Sequence, residues 1–257
     1  MSERFFEDPI LNSPYERPAR HWELDKDGIP TQQIVERRRE SRLITPIPKP
    51  KKRGGKEEQR VLEFEAQGVA AEGDQQYEVT QQVNSIRALV DEWRQAPESQ
   101  WKVTPETARL LKHWRHHEFQ GIRPFFCQIE AAETAIWLTE VAPESGKRGR
   151  DILEKLDSAN DEANPGLFRM ALKLATGAGK TTVMAMLIAW QTINAARHPG
   201  SSRFTKGFLV VAPGLTIRDR LRVLQPNDTE SYFKRMELVP PDLVGELGKA
   251  RIVITNY

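Results

Sequence analysis

The chain has 257 residues, enough to bury a substantial core, and its composition of 39% hydrophobic and 29% charged residues is that of a globular protein. The 38 Lys and Arg residues nearly balance the 36 Asp and Glu residues, so the net charge of +2 favours no class of partner by itself. A single cysteine, Cys127, excludes an intramolecular disulfide and a cysteine-based zinc site. No apolar run approaches the ~20 residues of a membrane-spanning helix, and the N-terminus lacks a signal-peptide pattern, so we expect a cytoplasmic protein without a membrane-bound part.

Residues 1–76 are predicted to form a proline-rich, partly basic N-terminal extension. Seven of the 17 prolines precede residue 51, which opposes long helices there. Residues 37–53, called the basic stripe below, contain one acid, Glu40, and the basic residues Arg37, Arg38, Arg39, Arg42, Lys49, Lys51, Lys52 and Arg53. The stripe has two interpretations, a surface that attracts nucleic-acid phosphates and a solvated linker, and the sequence leaves both open.

Residues 77–117 are predicted to be a small helical segment. Apolar side chains recur at helical spacing from Val83 to Trp93, and Pro97 ends that helix. Thr104 and Pro105 supply the N-cap and first position of a second helix, which runs through Trp114. Histidines cluster near its end, at positions 113, 116 and 117, but no cysteine and no obvious triad of carboxylates accompanies them, so we favour surface or partner-facing histidines and assign no metal.

Within residues 118–257, a glycine-rich loop is the segment that indicates a chemical function. It lies between residues 168–175 (FRMALKLA), a predicted strand, and residues 182–196, a predicted apolar helix, which is the arrangement that binds nucleoside triphosphates. The predicted binding residues are Thr176, Gly177, Ala178, Gly179, Lys180 and Thr181. The glycines let backbone N–H groups approach phosphate oxygens, Lys180 reaches the β- and γ-phosphates, and the Thr181 hydroxyl can ligate the bridging Mg²⁺.

Two features qualify the loop pattern. The full GxxxxGK[ST] motif would place glycine where Leu174 stands, and a purely structural turn is the alternative interpretation. A second glycine–lysine pair, Gly146-Lys147, has no following Ser or Thr and no preceding strand, so we predict a plain loop there.

The loop variant ATGAGKT at 175–181 resembles motif I of superfamily 2 helicases and translocases. Residues 123–131 (RPFFCQIEA) look like the adenine-recognition segment of that superfamily, with Gln128 in the place of the glutamine that reads the adenine edge. Residues 208–214 (FLVVAPG) are similar to motif Ia, and residues 252–257 (IVITNY) to the strand of the following motif. The sequence APGLTIRDRL at residues 212–221 is similar to a narrower group within that superfamily, the Res subunits (helicase and nuclease) of type III restriction enzymes.

This resemblance implies fold, ligands and partners. The implied fold class is α/β: an incomplete RecA-like P-loop domain with a parallel sheet at 118–257, preceded by the extension and the helical segment. The implied cofactors are ATP and Mg²⁺, and the implied partners are DNA, contacted by Pro213, Gly214, Arg218 and Arg220, and a methyltransferase or specificity subunit. The parent family is an ATP-dependent DNA translocase with restriction endonuclease activity.

An acidic motif that would activate water is not visible after Lys180. We therefore expect a domain truncated before that motif, which does not hydrolyse ATP alone and whose strand at residues 170–175 lacks its neighbours. Two other functions stay open: a P-loop phosphotransferase with Arg218, Arg220 and Arg222 as lid residues, and a non-enzymatic DNA-binding module that uses the basic stripe.

Overall fold

The computed structural model describes residues 3–25, 27–41 and 82–257, so the basic stripe beyond position 41 lies outside the described residues. The N-terminal part contains α1 (Glu3–Glu7), β1 (His21–Leu24) and β2 (Pro30–Val35). The helical part contains α2 (residues 82–95), α3 (Pro105–His116), α4 (Phe126–Ile136), a π-helical turn (Trp137–Val141) and α5 (Gly146–Ala163). The remainder contains α6 (Lys180–Arg197), β3 (Gly207–Ala212), α7 (Leu215–Arg220), α8 (Tyr232–Arg235) and β4 (Arg251–Asn256).

The two predicted helices of the helical segment form where the sequence placed them. The helix at residues 82–95 covers the predicted apolar face, and its residues Val90 and Trp93 are buried. The second helix begins as its capping residues indicate, because the Thr104 side chain accepts the Thr107 backbone N–H and Pro105 occupies the first position.

The core is helical and centres on α6. Its residues Ala185, Met186 and Ile193 are completely buried, and they belong to one apolar cluster with Leu110 of α3 and Ile136 of α4. Because α6 is apolar on most of its surface, it can only be stable when other elements surround it.

Two buried carboxylates connect the core helices. Glu133 of α4 lies 2.7 Å from the Nε atoms of Arg94 on α2 and Arg115 on α3. Glu140 of the π-helical turn accepts hydrogen bonds from the Thr107 hydroxyl at 2.7 Å and the Trp190 indole at 2.8 Å. Such charges are tolerated in a core because they are paired and hydrogen-bonded, and they hold the helices in one arrangement.

The extension packs on the helices rather than remaining free. Its strands β1 and β2 form an antiparallel hairpin, and the Phe126 N–H at the start of α4 donates to the Pro14 carbonyl at 2.8 Å. Both terminal nitrogens of Arg38 lie 2.6 Å from the carboxylate oxygens of Glu130. Arg38 is thus a structural residue of the extension, although the sequence counted it in the basic stripe.

The sheet of the α/β part is small. Strands β3 and β4 pair in parallel, with Gly207 opposite Arg251 and Ala212 opposite Asn256. One face packs on the core through Val210 and Ala212, while Leu209 is 68% exposed on the other. The α/β class and the parallel sheet are therefore confirmed, as a partial sheet.

Two local predictions are wrong. Residues 168–175 contain no strand, and Phe168 is 61% exposed, because a strand forms only beside a neighbour and β3 and β4 pair only with each other among the described strands. Gly146 and Lys147 begin α5 instead of lying in a loop; Ile152, Leu153 and Leu156 of that helix pack inward and stabilise it. No helix in the described parts of the chain is long and apolar enough to cross a membrane.

Candidate nucleotide-binding site

The glycine-rich loop leads directly into α6, whose N-terminus carries the partial positive charge of the helix dipole. Gly177 and Gly179 have φ values of +81° and +75°, a left-handed conformation that residues with a side chain rarely adopt. The two glycines thus give the loop the sharp backbone path that the sequence predicts.

Two side chains of the first turn of α6 could act on phosphates. The Lys180 side chain is exposed and its Nζ donates to the Ala175 carbonyl at 2.9 Å, so the ammonium lies against the loop. Thr181 is half-buried, whereas the next residue, Thr182, is buried and its hydroxyl lies 3.6 Å from Met236 Sδ. Thr181 therefore has the more accessible hydroxyl of the two.

Gln128 contacts the loop directly. Its side chain is in the first turn of α4 and the residue is only 3% exposed. The amide nitrogen donates to the Ala178 carbonyl at 2.9 Å, and the amide oxygen accepts the Phe125 N–H at 3.0 Å. A Cβ atom at Gly179 would stand 2.2 Å from the same amide nitrogen, so only glycine fits there beside Gln128. Residues 123–131, which contain Gln128, and the glycine-rich loop are consequently in hydrogen-bond contact.

The residues around the loop fit a magnesium nucleotide. A Cβ atom added at Gly177 would have no other atom within 4 Å, so the outer side of the loop is open at this residue. The donor set combines backbone N–H groups at a helix N-terminus, one ammonium and one hydroxyl, which matches phosphate oxygens and Mg²⁺.

An aromatic and cationic group that sequence reasoning missed lies at the start of α4. The Arg123 guanidinium carbon is 4.1 Å from the centre of the Tyr15 ring, and that ring lies 5.5 Å from the Phe125 ring. The sequence offers no local signal for this contact, because Tyr15 and Arg123 are more than a hundred positions apart.

The residues predicted to contact DNA lie elsewhere, at the carboxyl end of β3. Pro213 and Gly214 are exposed between β3 and α7. Arg218 Nη2 lies 2.9 Å from Asp219 Oδ1, and Arg220 is exposed without an ion pair in the described part of the chain. No hydrogen bond between described residues joins this group to the phosphate loop. Ligands of parallel sheets commonly bind at the carboxyl ends of the strands, which is where these residues stand.

The clustered histidines have a structural partner. His113 Nε2 lies 2.6 Å from the Glu237 carbonyl, and His117 Nε2 lies 2.9 Å from the Glu237 carboxylate. Burial lowers the pKa of His113, and the hydrogen bond with His117 lowers the pKa of Glu237. No group of three or more His, Cys, Asp or Glu side chains in the described ranges is placed to hold a metal ion.

Cys127, in the first turn of α4, is not an activated thiol. Burial raises its pKa, which disfavours the thiolate that a nucleophile would require.

The family comparison bears on the same region. A family model described as type III restriction enzyme, res subunit, matches residues 122–257. No curated protein and no solved structure matches the chain. The matched range contains Gln128, the glycine-rich loop at residues 176–181, β3 and β4. Since it covers more than half of the sequence, the chain belongs to the type III restriction enzyme res subunit family.

Proposed function

We propose that this chain is a helicase-like, ATP-dependent subunit of a type III restriction system, and that it binds magnesium ATP at residues 176–181. One observation carries the proposal. The phosphate loop has both glycines in the left-handed conformation, stands at the N-terminus of α6 and is hydrogen-bonded to Gln128 through Ala178. Family membership supports the helicase-like assignment.

Each loop residue has a stated task in the proposal. The backbone N–H groups from Gly177 to Thr181 would donate to phosphate oxygens, and both the Ala178 N–H and Lys180, which now donate to the Ala175 carbonyl, would exchange that carbonyl for phosphate. The Thr181 hydroxyl holds Mg²⁺, which supplies Lewis-acid charge stabilisation when bound. Gln128 holds the loop through Ala178; since its buried amide is bonded to both Phe125 and Ala178, the preference for ATP over GTP that the resemblance implies would require this side chain to exchange one of those bonds for the adenine edge.

We propose DNA as the nucleic acid along which this ATP-dependent subunit moves. Pro213, Gly214 and Arg220 are exposed at the carboxyl end of β3, and Arg220 is a cation without an ion-pair partner in the described ranges. A methyltransferase or specificity subunit is the proposed protein partner, by family membership.

The phosphotransferase alternative has less support. A lid needs arginines that are free to swing onto phosphates; Arg218 and Arg222 are ion-paired at 2.9 and 3.4 Å with Asp219 and Asp228, and only Arg220 has no ion pair among the described residues. The alternative of a basic DNA-binding module depends on the stripe, of which Arg38 is engaged by Glu130.

The test is titration of the chain with a fluorescent ATP analogue in the presence of Mg²⁺. Lys180→Ala removes a charge-assisted contact of about 1.5–3 kcal/mol and should lower the affinity about 10- to 100-fold. Lys173→Ala is the matched control, since Lys173 is also exposed and stands seven positions away. Equal affinities of Lys180→Ala and Lys173→Ala would contradict the proposal.

A further inference from the structure

One face of α2 contacts the N-terminal extension and carries polar side chains at positions 84, 87, 91 and 94, whose spacing places them on one side of the helix. At its start, the Asn84 side chain accepts the Ser41 N–H at 2.9 Å and donates to the Ser41 carbonyl at 3.2 Å. Near its end, Asp91 accepts a hydrogen bond from Arg17 Nε at 2.9 Å and also pairs with Arg94. The extension is thus bound to this face at both ends.

Arg87, between these contacts, is the exception on the face. It is half-buried, and it has no hydrogen bond or ion pair with another described residue. Burial and the nearby charge of Arg38 lower the pKa of Arg87, so its cation is less stable here than in water. A half-buried cation that has lost hydration and gained no partner is stabilised when an anion binds to it.

The charged network around Arg87 does not contain that anion. All three carboxylates of the network already pair with other arginines: Asp91 with Arg17 and Arg94, Glu130 with Arg38, and Glu133 with Arg94 and Arg115. The chain adds further positive charge beside the network, because Arg37 and Arg39 are exposed and have no ion pair in the described part of the chain. The face therefore has an excess of cations held in fixed positions.

Phosphate is the anion that this surface fits best. A guanidinium is planar and weakly hydrated and can bind two phosphate oxygens at once, which suits a half-buried position. Several cations on one surface also match a polymer that carries a phosphate at every repeat. The proposed function supplies such a polymer, DNA.

We propose that this face of α2 is a contact for the DNA backbone, in which the Arg87 guanidinium binds a phosphate. The inference rests on the proposed binding of DNA and adds a site to it. Arg87 lies outside the basic stripe and outside the matched range of residues 122–257, on a different element from the residues at the carboxyl end of β3. Phosphate contacts position a nucleic acid without reading its bases, so the contact is independent of DNA sequence.

The experiment is titration of the full chain with a fluorescein-labelled DNA duplex of mixed sequence at several salt concentrations. Arg87→Met removes the charge and keeps the aliphatic stem. It should flatten the slope of log affinity against log salt concentration by about one unit and lower the affinity about 5- to 10-fold near ~0.1 M salt. Arg87→Lys should keep the wild-type slope because the charge remains. In urea, Arg87→Met should unfold with no loss of stability, since the cation it removes has no partner in the folded chain.

Arg203→Met is the matched control. Arg203 is exposed, precedes β3 and also lacks an ion pair among the described residues, so its loss changes the net charge equally. It should bind DNA with the wild-type slope. If Arg87→Met keeps the wild-type slope, or if Arg203→Met flattens it as much, the proposed contact is wrong. A loss of stability in Arg87→Met with unchanged DNA binding would show that a carboxylate of the protein is the partner instead. If the wild type binds no DNA at any salt concentration, the proposed DNA substrate itself is wrong.

Discussion

The two left-handed glycines of the phosphate loop allow a sharp test of how Gln128 supports it. Gly177 and Gly179 have nearly the same φ, +81° and +75°, so alanine costs similar backbone strain at either position. Their surroundings differ. An added Cβ meets nothing within 4 Å at Gly177, but at Gly179 it stands 2.2 Å from the Gln128 amide nitrogen and 3.4 Å from the Thr182 hydroxyl.

The expected costs follow from that difference. Left-handed strain for an alanine is about 1–2 kcal/mol, and this is the whole cost for Gly177→Ala. Gly179→Ala must also displace the Gln128 side chain, which breaks its bonds to Ala178 and Phe125. Since a buried polar group without a partner costs about 1–3 kcal/mol, we expect a total of about 2–5 kcal/mol in the free energy of unfolding.

The assay is urea unfolding followed by circular dichroism, repeated in a Gln128→Ala background. Without the amide, Gly179→Ala should cost no more than Gly177→Ala, so the two substitutions at 128 and 179 should couple by about 1–3 kcal/mol. Gly177→Ala should show no coupling with Gln128→Ala. Additive effects at 128 and 179, or equal costs of the two glycine substitutions in the wild-type background, would refute the contact.

Three further predictions concern the helical part and the extension. Glu133→Gln removes the completely buried anion that pairs with Arg94 and Arg115; Arg94 keeps Asp91, but Arg115 is left without a carboxylate partner among the described residues. This substitution should lower the free energy of unfolding by about 3–5 kcal/mol in the same assay, while Glu154→Gln, at an exposed position, should change it little. Burial holds the pKa of His113 below the unfolded value of about 6.5, so between those two pKa values the unfolded chain binds more protons than the folded chain. The free energy of unfolding should therefore fall as the pH drops below about 6.5. In thermal melts at about pH 5.5 and 7.5, His113→Gln should flatten that dependence. If the basic stripe contacts phosphates, deleting residues 42–53 should reduce the salt dependence of DNA binding. An unchanged slope of binding affinity against salt concentration would identify the stripe as a linker. Arg38→Ala should instead lower the melting temperature, because Arg38 pairs with Glu130.

Local sequence signals predicted the elements whose formation is decided locally. Thr104 and Pro105 mark the start of α3 because capping involves only neighbouring residues, and the glycine–lysine order marks the start of α6. The segment at 168–175 has an alternating apolar pattern, yet it forms no strand, because a strand depends on a neighbour that no local pattern reveals.

Contacts between distant residues could not be predicted from the sequence. Arg38 was grouped with the other cations of the stripe, and only the folded chain brings it to Glu130, 92 positions later. Gln128 was assigned by resemblance to base recognition, and the sequence gave no sign that its amide would also bond the loop at Ala178. Tyr15 and Arg123 meet for the same reason, because the extension folds back onto α4.

These long-range contacts bear on how the phosphate loop keeps its shape. A strand normally holds the loop on the side that precedes it, but here residues 168–175 pair with no strand in the described parts of the chain. The following side is fixed by α6, and the bond from Gln128 to Ala178 fixes the middle of the loop to α4. The same helix receives the extension at Phe126 and Glu130, so the extension and the loop are attached to one element. The loop is thus held by α4, which the extension also contacts, as well as by its own glycines, and a local motif cannot express these contacts.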